Sequence, residues 1–345
     1  MRVLVTGGAG FIGSNFVHLL QRERPSDQIV VLDKLTYAGN LRNLETALRD
    51  SRVKFVRSDI CDPSVADAVK GCDAVVHFAA ESHVDRSIED ATPFVRTNVE
   101  GTWRLVDTCR AARVARFVHV STDEVYGSLE PGVSASESSP LAPTSPYAAS
   151  KAASDLLVLA AVKTHHFPAI ITRCTNNYGP YQFPEKFIPL MISQALANQP
   201  LPVYGDGRNV RDWIHVADHC RAIDLILREG KEGEIYNIGG GCELENITVV
   251  RRILRALNRP ESLLKFVTDR LAHDRRYALN CAKLQKELGW EPGWEFGRGL
   301  AETIRWYQEN SSWLEETRSG EYQNYFDRHY VRRAETFAAP AKRSN

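Results

Sequence analysis

"TGGAGFIGS", residues 6–14, closes the apolar run 2–6 ("RVLVT") and opens the amphipathic segment "NFVHLLQRE". Strand, glycine turn and helix therefore meet at one point. Gly8, Gly10 and Gly13 satisfy Gly-x-Gly-x-x-Gly, while Gly7, Gly10 and Gly13 satisfy Gly-x-x-Gly-x-x-Gly. Without side chains the backbone turns tightly, and a pyrophosphate can approach it at the positive end of the helix dipole. Further short runs follow at 29–33, 53–59, 74–80, 116–121 and 169–173, separated by helical-looking segments. They are apolar on both faces, the pattern of strands in a buried parallel sheet. The expected fold is α/β: a doubly wound, Rossmann-type parallel sheet with a smaller, irregular α/β substrate-binding domain.

The expected boundaries are residues 1–175 for the dinucleotide domain, with part of 209–237 returning to it, and 176–325 for the second domain. Prolines 180, 184, 189, 200 and 202 break the strand and helix rhythm there. Residues 326–345 lack apolar periodicity and are expected to be a loose tail.

Lys plus Arg and Asp plus Glu number 43 each, so no global field favours nucleic acid or an anionic membrane, and local groups must hold any anionic ligand. The seven cysteines include no Cys-x-x-Cys pair, which fits reduced thiols of a cytoplasmic protein. No run approaches the roughly 18 apolar residues of a membrane span. His215 and His219 have helical metal-ligand spacing without a third ligand nearby, so a structural role is expected and no metal.

Asp33 follows Gly13 by twenty residues at the end of the second run, where a carboxylate can accept hydrogen bonds from an adenosine ribose and would repel a 2′-phosphate. NAD is therefore favoured over NADP, with neighbouring Lys34 the one feature that softens the choice. "SDI" (58–60) is placed to meet the adenine, and "FAAES" (78–82) to line the cofactor's path.

Tyr147 and Lys151 lie four residues apart in "YAASK", hence on one face of a helix. A phenol acting as base at neutral pH must drop by about three pKa units, about 4 kcal/mol. One ammonium at roughly 5 Å contributes about 3 kcal/mol at an effective dielectric of about 20, so the lysine nearly suffices, and the positive charge of an oxidised nicotinamide can supply the remainder. With the glycine turn upstream and Thr122 at a strand end, this combination resembles the extended branch of the short-chain dehydrogenase/reductases. That resemblance implies that Thr122 bonds the reacting hydroxyl, Tyr147 removes its proton, and Lys151 also grips the nicotinamide ribose.

"STDEVYG" (121–127) adds two acids, Asp123 and Glu124. With "LDKLTYAGN" (32–40), "AAESHVDRSI" (79–88), "TRCTNNYGPYQFPEKFIP" (172–189), "YGDGRNVRDWIHVADH" (204–219) and "HDRRYA" (273–278), it resembles one family of that branch, the dTDP-glucose 4,6-dehydratases, over about residues 1–310. The resemblance implies an NAD-dependent hydro-lyase. Carbon 4 of the hexose is oxidised, Glu124 takes the proton of carbon 5, Asp123 protonates the leaving carbon 6 hydroxyl, and hydride returns from NADH to carbon 6. Two carboxyls with opposite roles need opposite protonation states, which mutual repulsion in a desolvated pocket favours.

By the same resemblance the NAD-binding residues are Gly7, Gly10, Phe11, Ile12, Gly13, Asp33, Lys34, Leu35, Thr36, Asp59, Ile60, Ala79, Ala80, Ser82, Thr97, Tyr147, Lys151 and Asn177. The nucleotide-sugar residues are Ser82, His83, Thr122, Asn176, Lys186, Phe187, Pro202, Tyr204, Arg211, Asn246, Arg270, His273 and Tyr277. Asp274 accompanies that last segment, and Glu81 lies near the sugar. Leu271-Ala272 departs from the Pro-Gly more usual there. The partners implied are dTDP-glucose and a second copy of the chain, through helices around 94–112 and 147–165. The rival readings are an epimerase or decarboxylase of the same branch, against which the acid pair argues, and a catalytically silent NAD-binding regulator, against which intact Thr122, Tyr147 and Lys151 argue.

Overall fold

The computed structural model describes residues 1–318, Tyr322 and residues 326–331. Among the described residues twelve strands are formed: β1 (Arg2–Thr6), β2 (Gln28–Asp33), β3 (Val53–Arg57), β4 (Ala74–His77), β5 (Arg116–Thr122), β6 (Ala169–Cys174), β7 (Asn176–Tyr178), β8 (Leu201–Tyr204), β9 (Val210–His215), β10 (Ile235–Ile238), β11 (Glu243–Glu245) and β12 (Leu264–Val267). Seven make one sheet in the order β10-β6-β5-β4-β1-β2-β3, and every pairing in it is parallel. Parallel pairing needs covered faces, and Val3, Leu4 and Val5 of β1 are accordingly buried.

One layer of cover comes from helices Phe11–Glu23 and Val216–Glu229, whose Phe16, Val17, Leu20, Ile223 and Ile226 share a core with alternate strand residues. The opposite layer includes helices Thr102–Ala111 and Pro146–His165, with Leu105, Val106, Val158 and Ala161 packed on Leu4, Val75 and Ile171. From β1 the chain builds outward through β2 and β3, then crosses to β4 and builds the other way. The switch therefore falls between β1 and β4, and a crevice opens at their carboxyl ends. Gly7 lies in that crevice, where a Cβ would sit 2.6 Å from the Ala79 nitrogen.

The remaining strands form a three-stranded sheet, β11-β9-β7, and a parallel pair, β12-β8. They pack with helices Phe187–Leu196, Asn246–Ala256, Phe296–Glu309 and Ser311–Thr317 around Tyr178, Trp213, Phe296, Tyr307 and Trp313. Helix Val216–Glu229 and β10 lie with the large sheet, so the chain visits it, leaves at β7, and returns.

The start of the expected loose tail is packed: His329 is buried and Tyr330 stacks on Tyr204 with ring centroids 5.7 Å apart. Aromatic anchors at 326 and 330 order it where no apolar period was visible. Residues 332–345 lie outside the described residues. All seven cysteines are free thiols. Among the described residues no helix is long and apolar enough to cross a membrane.

Candidate active site

The crevice holds a cavity of about 290 Å³. Its floor is the glycine turn. Gly7 adopts φ +67°, a conformation side chains disfavour, and a Cβ on Gly13 would stand 2.3 Å from the Gly7 carbonyl oxygen. Gly7, Gly10 and Gly13 all line the cavity, whereas Gly8 faces Val31. Gly10 caps helix Phe11–Glu23 with no side-chain bond, leaving the first N–H groups of the helix available to an anion.

Asp33, at the tip of β2, accepts the Ala9 N–H at 3.0 Å and the Leu35 N–H at 2.8 Å, so both carboxylate oxygens are oriented by backbone. Leu35 therefore serves Asp33 through its backbone at φ +58°; its side chain packs on the core and is not in the cavity wall. The Lys34 ammonium lies 3.2 Å from Thr97 Oγ1, 3.5 Å from Glu81 and 3.7 Å from Asp59. Its charge is thereby committed to carboxylates, so it does little to attract a second phosphate. The cradle fits an NAD-type dinucleotide. Every other residue assigned to NAD from the sequence lines this cavity.

At its far end stand the reactive residues. Lys151 and Tyr147 share one face of helix Pro146–His165, which Ser145 caps by accepting the Ala148 N–H at 3.1 Å. Lys151 donates to the Val120 carbonyl at 2.8 Å, which pins its ammonium beneath the end of β5. Burial pulls Lys151 down to about 8, against the charge of Asp155 one helical turn on. Burial, and then the Glu124 charge, holds the Tyr147 phenol well above its ordinary value. Lys151 alone therefore does not ionise Tyr147, because the phenol is desolvated and the adjacent acid opposes the lysine, and the positive charge of oxidised nicotinamide has the larger share to supply.

β5 ends at Thr122, whose hydroxyl accepts the Glu124 N–H at 3.3 Å and starts a tight helical turn, Asp123–Tyr126. That turn aims both acids at the cavity. They differ in surroundings. Asp123 is 3% exposed; its Oδ1 accepts from Thr122 at 3.2 Å and its Oδ2 has no partner among the described residues. Burial, then the Glu124 charge, pushes its carboxyl well above the carboxylate range. Burial holds Glu124 above its ordinary value as well, although Arg270, Arg211 and Lys186 face it and limit the rise. Asp123 is thus the more strongly raised of the two, and Glu124 the one that faces three cations.

A second cavity of about 150 Å³ adjoins the first, sharing Ser82, Glu124, Asn176 and Lys186 with it. His83, Phe187, Pro202, Tyr204, Arg211, Asn246, Arg270, His273 and Tyr277 line it, so every sequence-assigned substrate residue is brought to it except Thr122, which stands in the first. Arg211 is fixed by donating to the carbonyls of Val210 (2.8 Å) and Asp274 (2.9 Å) and by lying 4.3 Å over the Tyr277 ring. Leu271, beside Arg270, is 64% exposed and Ala272 has φ +48°, yet Arg270 and His273 still reach the wall.

Several contributors escaped the sequence reading. Tyr330 and Asp85 join the second cavity, and Tyr204 donates to Asp85 at 3.2 Å. Behind Lys151, Asp155 accepts Arg173 Nε at 2.9 Å and lies 3.4 Å from His119 Nε2, all three buried. His219 Nδ1 lies 2.8 Å from the Asn177 side-chain oxygen, and His215 stacks on Trp294. "SKAASD" carries Asp155 at the same i+4 spacing as the tyrosine and lysine, a signal that was available.

Comparison with known proteins agrees with this geometry. The profile of a family described as GDP-mannose 4,6 dehydratase matches residues 4–303. A dTDP-glucose 4,6-dehydratase of Actinoplanes sp. is 53% identical over 319 residues, 91% of this chain and 99% of the relative. One from Streptomyces niveus is 52% identical over 324 residues, covering 92% and 96%. The crystal structure of dTDP-glucose 4,6-dehydratase from Streptomyces venezuelae, solved with NAD and a second ligand bound, superposes with a TM-score of 0.90 at 53% identity, covering 92% of this chain and all of that one.

Proposed function

Because the chain belongs to the family described as GDP-mannose 4,6 dehydratase, we propose that it catalyses the NAD-dependent 4,6-dehydration of dTDP-glucose to dTDP-4-keto-6-deoxyglucose and water. The observation that carries this reading is the acid pair in unlike surroundings: Asp123, buried and raised well above the carboxylate range, and Glu124, raised less and facing three cations, beside Thr122, Tyr147 and Lys151.

Bound in the first cavity, NAD supplies the two-electron oxidation of carbon 4 and the later return of that electron pair to carbon 6. The chain's own groups handle binding and protons. Thr122 orients the carbon 4 hydroxyl and Tyr147 accepts its proton, with Lys151 holding positive charge beneath. A ketone at carbon 4 acidifies carbon 5, and Glu124 receives that proton. Asp123 gives its proton to the departing carbon 6 oxygen, since a poor leaving group departs as water only when protonated. Glu124 then returns its proton to carbon 5. Arg211 and Lys186 neutralise the diphosphate, the fork of Arg211 already directed by its two carbonyls. Glu124, at the junction of the cavities, faces the hexose between the cofactor and the nucleotide.

A homodimer through helices Thr102–Ala111 and Pro146–His165, acting in the cytoplasm, belongs to the same proposal. Leu156, 57% exposed on the second helix, and Val95, 55% exposed just ahead of the first, support it, as do the seven free thiols. Light scattering on the purified chain tests the dimer.

The function is tested by incubating the protein with dTDP-glucose and following product mass and reduced cofactor. Loss of water without net NADH is the expected result. Unchanged mass with an inverted centre would assign an epimerase, and no conversion of any nucleotide hexose would assign a silent NAD-binding protein.

A further inference from the structure

The residue at the centre of the glycine turn, Ala9, has both of its backbone polar groups tied down. Its N–H donates to Asp33 at 3.0 Å, and its carbonyl accepts from the Asn43 side chain at 2.9 Å and from the Asn40 N–H at 3.1 Å. Asn43 is 1% exposed, in a short helical turn (Leu41–Leu44) that lines neither cavity. Its carbonyl accepts His18 Nε2 at 2.8 Å, and its side-chain oxygen accepts the Trp313 indole N–H at 2.8 Å.

Trp313 belongs to helix Ser311–Thr317 of the second lobe and stands 270 positions along the chain from Asn43. It is 4% exposed and packs edge to face on Trp306 at 5.1 Å and on Tyr181 at 6.4 Å. Neighbouring Tyr307 donates to the Gln182 carbonyl, and Gln182 donates at 2.9 Å to the carbonyl of Asn177 in the wall of the first cavity. One aromatic cluster of the second lobe thus grips the dinucleotide cavity at two places, the glycine turn and the loop of Asn177.

The geometry points to Trp313 and Asn43 as a positioning pair: the indole fixes the amide, the amide fixes the Ala9 peptide, and the fixed turn sets how firmly NAD is held. An Asn side chain must present its donor and acceptor in one orientation, and here the indole, a donor only, leaves the amide oxygen facing Trp313 and the amide N–H groups facing Ala9. A pyrophosphate gripped by backbone N–H groups depends on their direction, so freeing the Ala9 carbonyl relaxes the surface against which the diphosphate rests. A catalyst whose cofactor is regenerated in each turnover gains from slow cofactor loss.

The test reads cofactor retention rather than turnover. In Trp313→Phe the ring stays but the donor goes, leaving a buried acceptor unpaired, which corresponds to about tenfold in an equilibrium. The variant is expected to carry less NAD as purified, to release NADH about tenfold faster in a fluorescence displacement assay, and to regain wild-type kcat when NAD is added in excess. Its rise in melting temperature at a fixed NAD concentration is expected to shrink, whereas a merely structural defect lowers the melting temperature equally with and without NAD. Asn43→Ala, which leaves the Ala9 carbonyl with only the Asn40 N–H, is expected to behave the same way. Arg42→Ala, which loses only the neighbouring surface pair with Glu316, is expected to retain NAD as wild type does.

Wild-type release and an unchanged NAD-dependent melting shift in either folded variant would overturn the proposal. So would failure of both variants to fold while Arg42→Ala folds, since the pair would then support the fold and not the turn. Because NAD release is measured without substrate, these outcomes stand apart from any failure of the dehydratase reading.

Discussion

Replacing Asp155 by Asn tests whether the charge behind Lys151 is what keeps that lysine protonated. Asp155 is isosteric with the replacement, touches neither cavity, and pairs with Arg173 at 2.9 Å. Groups four residues apart on a helix lie about 6 Å from one another. A unit pair at that separation, in an effective dielectric of about 20, is worth about 3 kcal/mol, or about two pH units. Lys151 stands at about 8 with Asp155 present, and His119, Arg173, Tyr126 and Cys174 are the other titratable groups around the pair.

The sign is set by which form is needed. Charged Lys151 supports oxidation, so that support is present below its pKa and is lost as pH rises through it. In Asp155→Asn the alkaline limb of cofactor reduction is expected to move down by about two units, which at pH ~7.5 costs roughly twentyfold in rate and at pH ~6 only about twofold. Breaking the Arg173 pair also lowers stability by about 3–5 kcal/mol. Single-turnover reduction of bound NAD across the pH range, with denaturant unfolding alongside, reads both effects. A folded variant whose alkaline limb stays at the wild-type pH would refute the reasoning, because the lysine's charge would then not depend on Asp155.

Three further substitutions separate the steps. Glu124→Gln is expected to abolish deuterium uptake at carbon 5 from heavy water and to lower turnover by about 10²–10⁴ while NAD is still reduced, as mass spectrometry and absorbance report. Asp123→Asn is expected to allow oxidation but not loss of water. In the wild type the raised Asp123 pKa keeps dehydration active while that carboxyl is protonated and loses it as pH rises through the pKa, so a pH profile of product formation supplies the check. Gly13→Ala places a methyl group 2.3 Å from the Gly7 carbonyl oxygen and is expected to yield protein without bound NAD, measured by cofactor content after purification.

What was legible in the sequence was what is local. The glycine turn, Asp33 and the Tyr147–Lys151 pair each lie within one strand–turn–helix unit, so spacing alone places them. Asp123 and Glu124 were visible as a pair, but the difference in their surroundings depends on Arg211, Lys186 and Arg270, which come from three distant segments. Leu35 was assigned to the cofactor by resemblance, yet a left-handed backbone turns its side chain into the core. Tyr330 looked like part of an aperiodic tail because ring stacking orders it, and stacking leaves no period in the sequence. The Trp313–Asn43 bond joins residues with no local relation at all.

The path of the chain between its two lobes bears on how such a protein can change its choice of sugar. It leaves the large sheet after β6, comes back through helix Val216–Glu229 to β10, and departs again for β11. Neither lobe is a continuous stretch that recombination could lift out whole, and the elements that close the nucleotide cavity are threaded through those that hold the dinucleotide. New preferences must therefore arise by replacing single wall residues in place, which leaves the oxidising half intact while the rest is tuned around it.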